Sequence, residues 1–479
     1  MKNATRLYTI LSEPFRAEGR LDLRLVAVFI LINGLVLANA YLHDPRIGYD
    51  NRSYFAYIEA LTRGSLVTPQ DSREFFSPPL PFAFPALLTA LMSMDVARAV
   101  KFAQFLNVLL SIGLTWYLLK ACRLLGSRSS LGLGALVFLG ILPVYFKSFA
   151  FVRGEPLVAF FAVVIVYQVL LMVARRQFTP LHASILGVCL GLSVLSRQWG
   201  VLLFPPVLML FGYCWIRLRP LRVSIAKVLG LSLVLATAVG GWFYFYLRSS
   251  QGSFTPFNRP PAAKFSFGNQ PPEFYFGLSP GLLFKAPVRA NFPNQLIPIL
   301  YSEIWGDYWG FFSVSSTDTR TSGHINGRGL ADILETGSRP TWLETNYDSM
   351  GAYLGRVNLV SLLPSLLALT SFGVVAATTL GWRVKRRAIP NQRIMLGFLL
   401  LVITATLAGY MWFLIMYPSL GKGDTIKATY ILHIFPLVGV IVGVVLQHVE
   451  ERSRFLYRLL MGALCLVFLH NIATMVTHY

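Results

Sequence analysis

Charge is scarce in this chain. Only 13% of its 479 residues are charged, about half the share of a soluble globular domain. Acids are scarcer still, 21 Asp and Glu against 42 Lys and Arg, for a formal net charge of +21. On a soluble protein that excess would point to nucleic acid. In a chain that is 55% hydrophobic it points to basic loops at a membrane face, and there is no nucleic-acid motif. Four cysteines, Cys122, Cys189, Cys214 and Cys465, are too few for a disulfide scaffold. They sit in or beside apolar runs and read as small buried hydrophobes. No C-x-x-C or Cys/His cluster suggests a metal. The chain lacks G-x-S-x-G, Walker A and H-E-x-x-H, which argues against a protease or an ATP-driven pump. The polar first 20 residues argue against a cleavable signal peptide.

What the chain has is apolar length. A membrane-crossing helix needs about 20 mostly apolar residues. Eleven stretches qualify, near 24–43, 101–121, 129–147, 157–174, 182–196, 200–216, 228–247, 357–381, 394–416, 430–448 and 457–476. A twelfth run, 79–94, is short, and prolines at 79, 81 and 85 break its first half as a helix. Lysine and arginine in short loops set orientation. With an inner N-terminus and 79–94 not crossing, the basic segments 120–128, 175–176, 217–227, 383–393 and 450–458 all fall inside. If 79–94 crossed, every later basic loop would turn outward. The expected fold is therefore an all-α polytopic membrane protein of about eleven transmembrane helices, N-in and C-out, with 79–94 juxtamembrane or re-entrant. Three regions follow: 1–247, a transmembrane module with a first outer loop at 44–100; 248–356, an outer loop region between spans 7 and 8; and 357–479, the C-terminal transmembrane helices.

Most of the acids fall in the outer segments. Asp50 stands just before Tyr54, Tyr57, Ile58 and Leu61, whose i, i+3, i+4, i+7 spacing predicts an amphipathic helix. Asp50 is then either that helix's N-cap, a carboxylate facing a cavity, or both. Glu155, in Arg153-Gly154-Glu155-Pro156, begins the fourth span. An ionisable group there is a functional candidate, unless it merely pairs with Arg153. Arg197 interrupts the apolar stretch between spans 5 and 6; it either snorkels or faces the outer opening. Lys422 and Lys427 precede the tenth span in a glycine-containing loop. Lysine meets phosphate as a point charge and arginine as a bidentate fork. Glu303 and Asp307, among Tyr301, Trp305, Tyr308 and Trp309, read as a sugar-binding wall or as an interfacial aromatic belt.

The segment Gly48-Tyr49-Asp50-Asn51-Arg52-Ser53-Tyr54, then Ser77-Pro78-Pro79-Leu80, Arg153-Gly154-Glu155-Pro156, and Lys427 with Tyr430 together resemble the GT-C superfamily of integral-membrane glycosyltransferases. The branch they resemble is that of the aminoarabinose transferase and the protein O-mannosyltransferases. Two departures stand out: Ser77 replaces a histidine, and Asn51 replaces a second acid, which leaves Asp50 alone and a metal-binding role open. The resemblance implies transfer of a sugar from a polyprenyl-phosphate donor to a lipid, glycan or protein acceptor. It implies a bacterial inner membrane with the site on the periplasmic side, and no cofactor. It gives Asp50 the role of base in an inverting displacement, and Glu155 that of orienting acceptor or sugar. Arg197 and Lys427 would hold the phosphate, with Lys422, Arg153, Tyr430, Glu303 and Asp307 as further substrate contacts. The lipid tail is expected near 79–94. A transporter or flippase of a lipid-linked sugar is the competing class. It would place its polar site near the membrane midplane.

Overall fold

The computed structural model describes residues 12–17, 20–285, 287, 292–313, 347–381, 391–419 and 425–478. It is a helical, multi-pass membrane protein whose described strands are two short ones, Arg16–Ala17 and Arg20–Leu21, paired antiparallel before the first span. Among the described residues nine helices are long and apolar enough to cross a membrane, from Leu23–Leu42 to Arg454–Thr474. A further apolar stretch is split into Ser129–Gly140 and Pro143–Ala150, bent by 66°, where Pro143 opens the second piece. Pro180–Ser196 is shorter, at 17 residues. Several starts carry their own caps. The side chains of Asp22, Asp95 and Ser453 accept from the amides of Arg24, Arg98 and Leu456, satisfying donors that a helix start leaves open. Cys465 is exposed and Cys189 half-buried, so only two of the four cysteines are core residues.

Burial sorts the spans. Ala428–Arg452 and Gly154–Arg175 are 83% and 78% buried over their most apolar windows, against 22% for Gly351–Leu380 and Arg454–Thr474. A helix apolar on all sides belongs in the centre of a bundle. These two central helices carry Lys427, Tyr430 and Glu155 at one end.

The run expected to be broken by prolines is a helix, Leu80–Met92. Pro81 sits in its first turn, where the missing N–H costs nothing, and Pro85 is accommodated inside it. At 1.5 Å per residue its 13 residues reach about 20 Å, short of an ~30 Å hydrocarbon core. It packs on Asn51–Thr62 through Phe82, whose ring lies 5.0 Å from that of Tyr54 and 4.7 Å from that of Tyr57.

Contacts between chain segments show which helix ends share a face. Lys427 bonds Asp50, beyond the first span. Asn39 and His43 at the end of Leu23–Leu42 bond Met475 and Thr477 after the last helix. At the other face Arg128 pairs with Glu451 at 3.6 Å, and Gln392 donates to the Leu125 carbonyl. An even number of crossings must therefore separate Asp50 from Lys427. The described helices meet that condition with the bent pair and Pro180–Ser196 crossing and Leu80–Met92 remaining at the Asp50 face. The described parts of 248–356 pack onto the span Asn391–Met416: Gln270 donates to the Leu414 carbonyl at 2.7 Å, and the Ala262 amide to that of Met416 at 2.8 Å.

Candidate active site

At the Asp50 face a cavity of about 830 Å³ opens between the first loop, the start of Ala428–Arg452 and the segment around Trp309. Asp50 has φ +58° and makes no side-chain bond to the helix it precedes. It is therefore not a working N-cap. The left-handed turn, which Asp and Asn tolerate better than most residues, aims the carboxylate into the cavity, where 43% of the side chain is accessible. Lys427 Nζ donates to Asp50 Oδ2 at 3.0 Å.

Lys427 is fixed at both levels. Tyr410 of Asn391–Met416 accepts from its backbone N–H at 2.8 Å and donates to its carbonyl at 3.2 Å. Its ammonium lies 5.0, 5.2 and 5.8 Å from the ring centres of Tyr49, Trp309 and Tyr430, within cation–π range. Burial alone would raise the Asp50 carboxyl, but Lys427, Arg153 and Arg197 outweigh it and hold it down to about 2. Burial would likewise lower Lys427, and the Asp50 charge reverses that and raises it.

A second ionic group lies behind this pair. Arg197 Nε is 3.2 Å from Glu155 Oε1, and Arg153 Nε is 3.4 Å from Glu155 Oε2. Arg197 Nη1 donates to Ser77 Oγ at 2.8 Å, and Ser77 Oγ donates to Glu74 Oε2 at 2.8 Å. Ser77 thus joins a base to an acid. Arg153 Nη2 donates to Tyr54 OH at 3.0 Å, and its guanidinium lies 5.1 Å from the Tyr49 ring centre. Burial raises the Glu74 carboxyl, Arg197 draws it back only in part, and the nearby Asp50 charge adds to the rise.

Gly154 makes the Glu155–Arg197 contact possible. A Cβ built there would stand 2.1 Å from the Ser196 carbonyl oxygen, so no larger residue lets the two segments approach. Gly154→Ala should separate Glu155 from Arg197 at an overpacking cost of about 1–3 kcal/mol, with no charge removed. The expected readout is a lower unfolding temperature in detergent. A parent-like value would mean the approach is not needed.

Beside the cavity lies a small space, the neck, that shares Phe76, Arg197, Phe257 and Tyr430 with it. The neck in turn shares Trp199, Phe257 and Phe413 with an apolar pocket of about 560 Å³ around Trp199, Tyr244 and Trp412. Phe257 lines all three spaces, and Arg197 lines the polar cavity and the neck. No residue of Leu80–Met92, where the tail is expected, lines this apolar pocket.

The site residues expected from sequence separate into groups. Asp50, Arg197, Lys427 and Tyr430 line the cavity. Arg153 and Glu155 are buried behind it and pair, as the plainer reading had it, but with Arg197 as a third member. Lys422 lies outside the described residues. Glu303 and Asp307 are corrected: their side chains are fully buried rather than open to a sugar. Glu303 Oε1 is 2.9 Å from Lys147 Nζ and accepts from Tyr49 OH at 2.5 Å. Asp307 Oδ2 accepts the amides of Phe312 and Ser313. Buried charges are kept where they are paired and hydrogen-bonded, and these two acids anchor the wall that holds Tyr49 beside Asp50. Glu74, Lys147, Arg52, Arg73 and Arg259 went unread in the sequence. Glu74 lies three residues before Ser77, the one usable signal. Among the described residues no group of three or more His, Cys, Asp or Glu is arranged to hold a metal.

No family model and no curated protein matches the sequence. Solved structures do. The oligosaccharyltransferase of Archaeoglobus fulgidus, tethered with an acceptor peptide containing the NVT sequon, aligns with TM-score 0.51 and 15% identity over 95% of this chain and 55% of its own. The same organism's oligosaccharyltransferase AglB, in complex with an inhibitory peptide and a dolichol-phosphate, aligns with TM-score 0.50 and 12% identity over 95% and 56%. The chain carries the GT-C fold. ArnT from Cupriavidus metallidurans in the apo state aligns more loosely, with TM-score 0.36 and 17% identity over 87% of this chain and 76% of its own. The chain spans little more than half the length of the oligosaccharyltransferases it matches. Its GT-C fold brings together residues 50, 74, 197 and 427 at one face, in a single cavity.

Proposed function

We propose that the protein transfers a sugar from a polyprenyl-phosphate donor to an acceptor at the outer membrane face, in the periplasm of a bacterium. The observation that carries the reading is the adjacency of two unlike spaces. A polar cavity with an accessible carboxylate and an ammonium at 3.0 Å shares Phe257 with an apolar pocket, and Arg197 lines the cavity and the small space between the two. That is the shape of an amphiphile with an anionic junction between head and tail. Its phosphate would sit at Arg197 and Lys427, its tail beyond Trp199 and its sugar in the cavity.

The chemistry then runs as one displacement. The acceptor hydroxyl oxygen attacks C1, the C1–O(phosphate) bond breaks, and the anomeric centre inverts. The phosphate leaves as an anion stabilised by fixed positive charge, and the hydroxyl proton passes to Asp50. The Lys427 charge beside it suppresses Asp50 as a base. A phosphate that draws Lys427 toward itself weakens that ion pair and makes the carboxylate more basic when the acceptor needs it. Glu155 acts here as a positioning residue for Arg153 and Arg197, because it does not line the cavity. Tyr430 closes the neck, and no cofactor enters the scheme.

Arg197→Ala and Lys427→Ala are expected to weaken binding of undecaprenyl phosphate about ten- to a hundredfold each, the worth of a charge-assisted hydrogen bond. Arg197→Lys should recover only part, lacking the planar fork. Titration of the purified protein checks this. Unchanged affinity in both alanine variants would take the two residues out of the phosphate site.

The same reading requires eleven crossings with Asp50 and Lys427 outside. Single cysteines at 175, 217 and 386 should resist a membrane-impermeant maleimide in intact cells, while cysteines at 253 and 424 should label. Labelling at 386 would put the basic loops outside and break the topology.

A further inference from the structure

The cavity has an unbalanced wall. Three acids line it, and each already has a basic partner. Asp50 is held by Lys427, and Glu74 has Arg197 at 3.6 Å with Ser77 bonded to it. Asp71 pairs with Arg63 at 3.1 Å and accepts from Thr68. Five bases line the same space: Arg197, Lys427, Arg52, Arg73 and Arg259. The first two are matched. The side chains of Arg52, Arg73 and Arg259 are exposed and make no hydrogen bond or ion pair among the described residues. They arrive from three separate segments: the first turn of Asn51–Thr62, the stretch before Ser77, and the loop after the span Arg219–Gln251. Isolated surface arginines are ordinarily solvated singly. Three unmatched guanidinium groups turned into one concavity repel one another, and low-dielectric walls focus that field. None of the three lines the neck or the apolar pocket, whereas Arg197 lines both the cavity and the neck.

Building on the transfer reading above, we propose that Arg52, Arg73 and Arg259 form a second anion subsite, which binds a carboxylate or phosphate group borne by the transferred sugar or by the acceptor. The substrates on the cavity side are then acidic. Guanidinium suits them, because its planar fork meets carboxylate and phosphate through paired hydrogen bonds. Asn258 and Gln70 line the same wall and supply neutral donors to hydroxyls beside the anion.

Binding tests this without knowledge of the natural acceptor. Full-length protein is first saturated with undecaprenyl phosphate, then titrated with glucuronate, glucose 6-phosphate and glucose. The same is done with the triple variant Arg52→Ala, Arg73→Ala, Arg259→Ala and with the triple lysine variant, which keeps the charge. Both acids should bind the parent on the order of tenfold or more tightly than glucose. That preference should vanish in the alanine variant and persist in part in the lysine variant. Affinity for undecaprenyl phosphate should stay within about threefold, given the subsite's separation from the neck. The proposal is overturned if the acids bind no better than glucose, or if the alanine variant keeps the preference. It is also overturned if that variant loses undecaprenyl phosphate as Arg197→Ala does, which would make the arginines part of the carrier site. Transfer assays assign the source: a higher KM for acceptor places the anion on the acceptor, and a higher KM for donor at constant undecaprenyl phosphate affinity places it on the sugar. If no transfer is seen with any donor, the transfer reading fails while the binding arm still decides on the subsite.

Discussion

Asp50→Asn is expected to give a folded protein that transfers sugar about 10²–10⁴-fold more slowly, the usual loss on removing a general base. The substitution is clean for two reasons. Asn tolerates the left-handed backbone at φ +58° about as well as Asp does. The Asp50 side chain makes no helix cap that could be lost. Donor binding should hold or tighten, because Lys427 no longer has to leave a carboxylate at 3.0 Å to meet the phosphate. Slow transfer with intact donor affinity separates a base from a residue that merely shapes the site. If Asp50→Asn keeps more than about a tenth of parental transfer, outside that 10²–10⁴ range, the base lies elsewhere. Glu74 is then the carboxylate to change, since it lines the cavity and Glu155 does not.

Lys147→Met should be the most destabilising single change outside the site. The Lys147 and Glu303 side chains are both fully buried, 2.9 Å apart, with Asp307 at 4.0 Å. Lys147 also donates to the carbonyls of Glu303 and Gly306. Removing one partner of such a pair leaves a buried charge uncompensated, at a cost of about 3–5 kcal/mol. Thermal unfolding followed by size-exclusion chromatography in detergent should show a clear drop for Lys147→Met. Adding Glu303→Gln should recover much of it. Because Tyr49 donates to the same Glu303 oxygen and neighbours Asp50 in the chain, surviving Lys147→Met protein should also transfer more slowly. A single variant as stable as the parent would show that this cluster is not the anchor described.

The fold was legible because bilayer thickness and loop charge are read from short windows. Apolar stretches of about 20 residues mark spans, and basic loops give their sense. Leu80–Met92 was misread at its prolines because proline in a first turn breaks nothing. The acids of the first loop were visible as scarce charges, and Asp50 and Lys427, 377 positions apart, could be assigned to one face by counting crossings. Which acids face the cavity was not legible. Glu303 and Asp307 sit among aromatics in the sequence as a sugar site would. Their burial depends on Lys147, 156 residues away from Glu303, in a stretch that reads as span. The proximity of Glu155 to Arg197 depends on Gly154 meeting the Ser196 carbonyl, a packing fact with no local pattern. The three unmatched arginines become a group only once the acids around them are seen to be taken.

The central claim is tested most directly by reconstituting the purified chain in liposomes with polyprenyl-phosphate sugars, labelled in the sugar, and a membrane extract as acceptor source. The account predicts that label leaves the polyprenyl carrier and becomes covalently attached to an acceptor with the parent protein, and does not with Asp50→Asn. Label that stays on its carrier while moving from one leaflet to the other, equally with both proteins, would contradict it and identify a flippase.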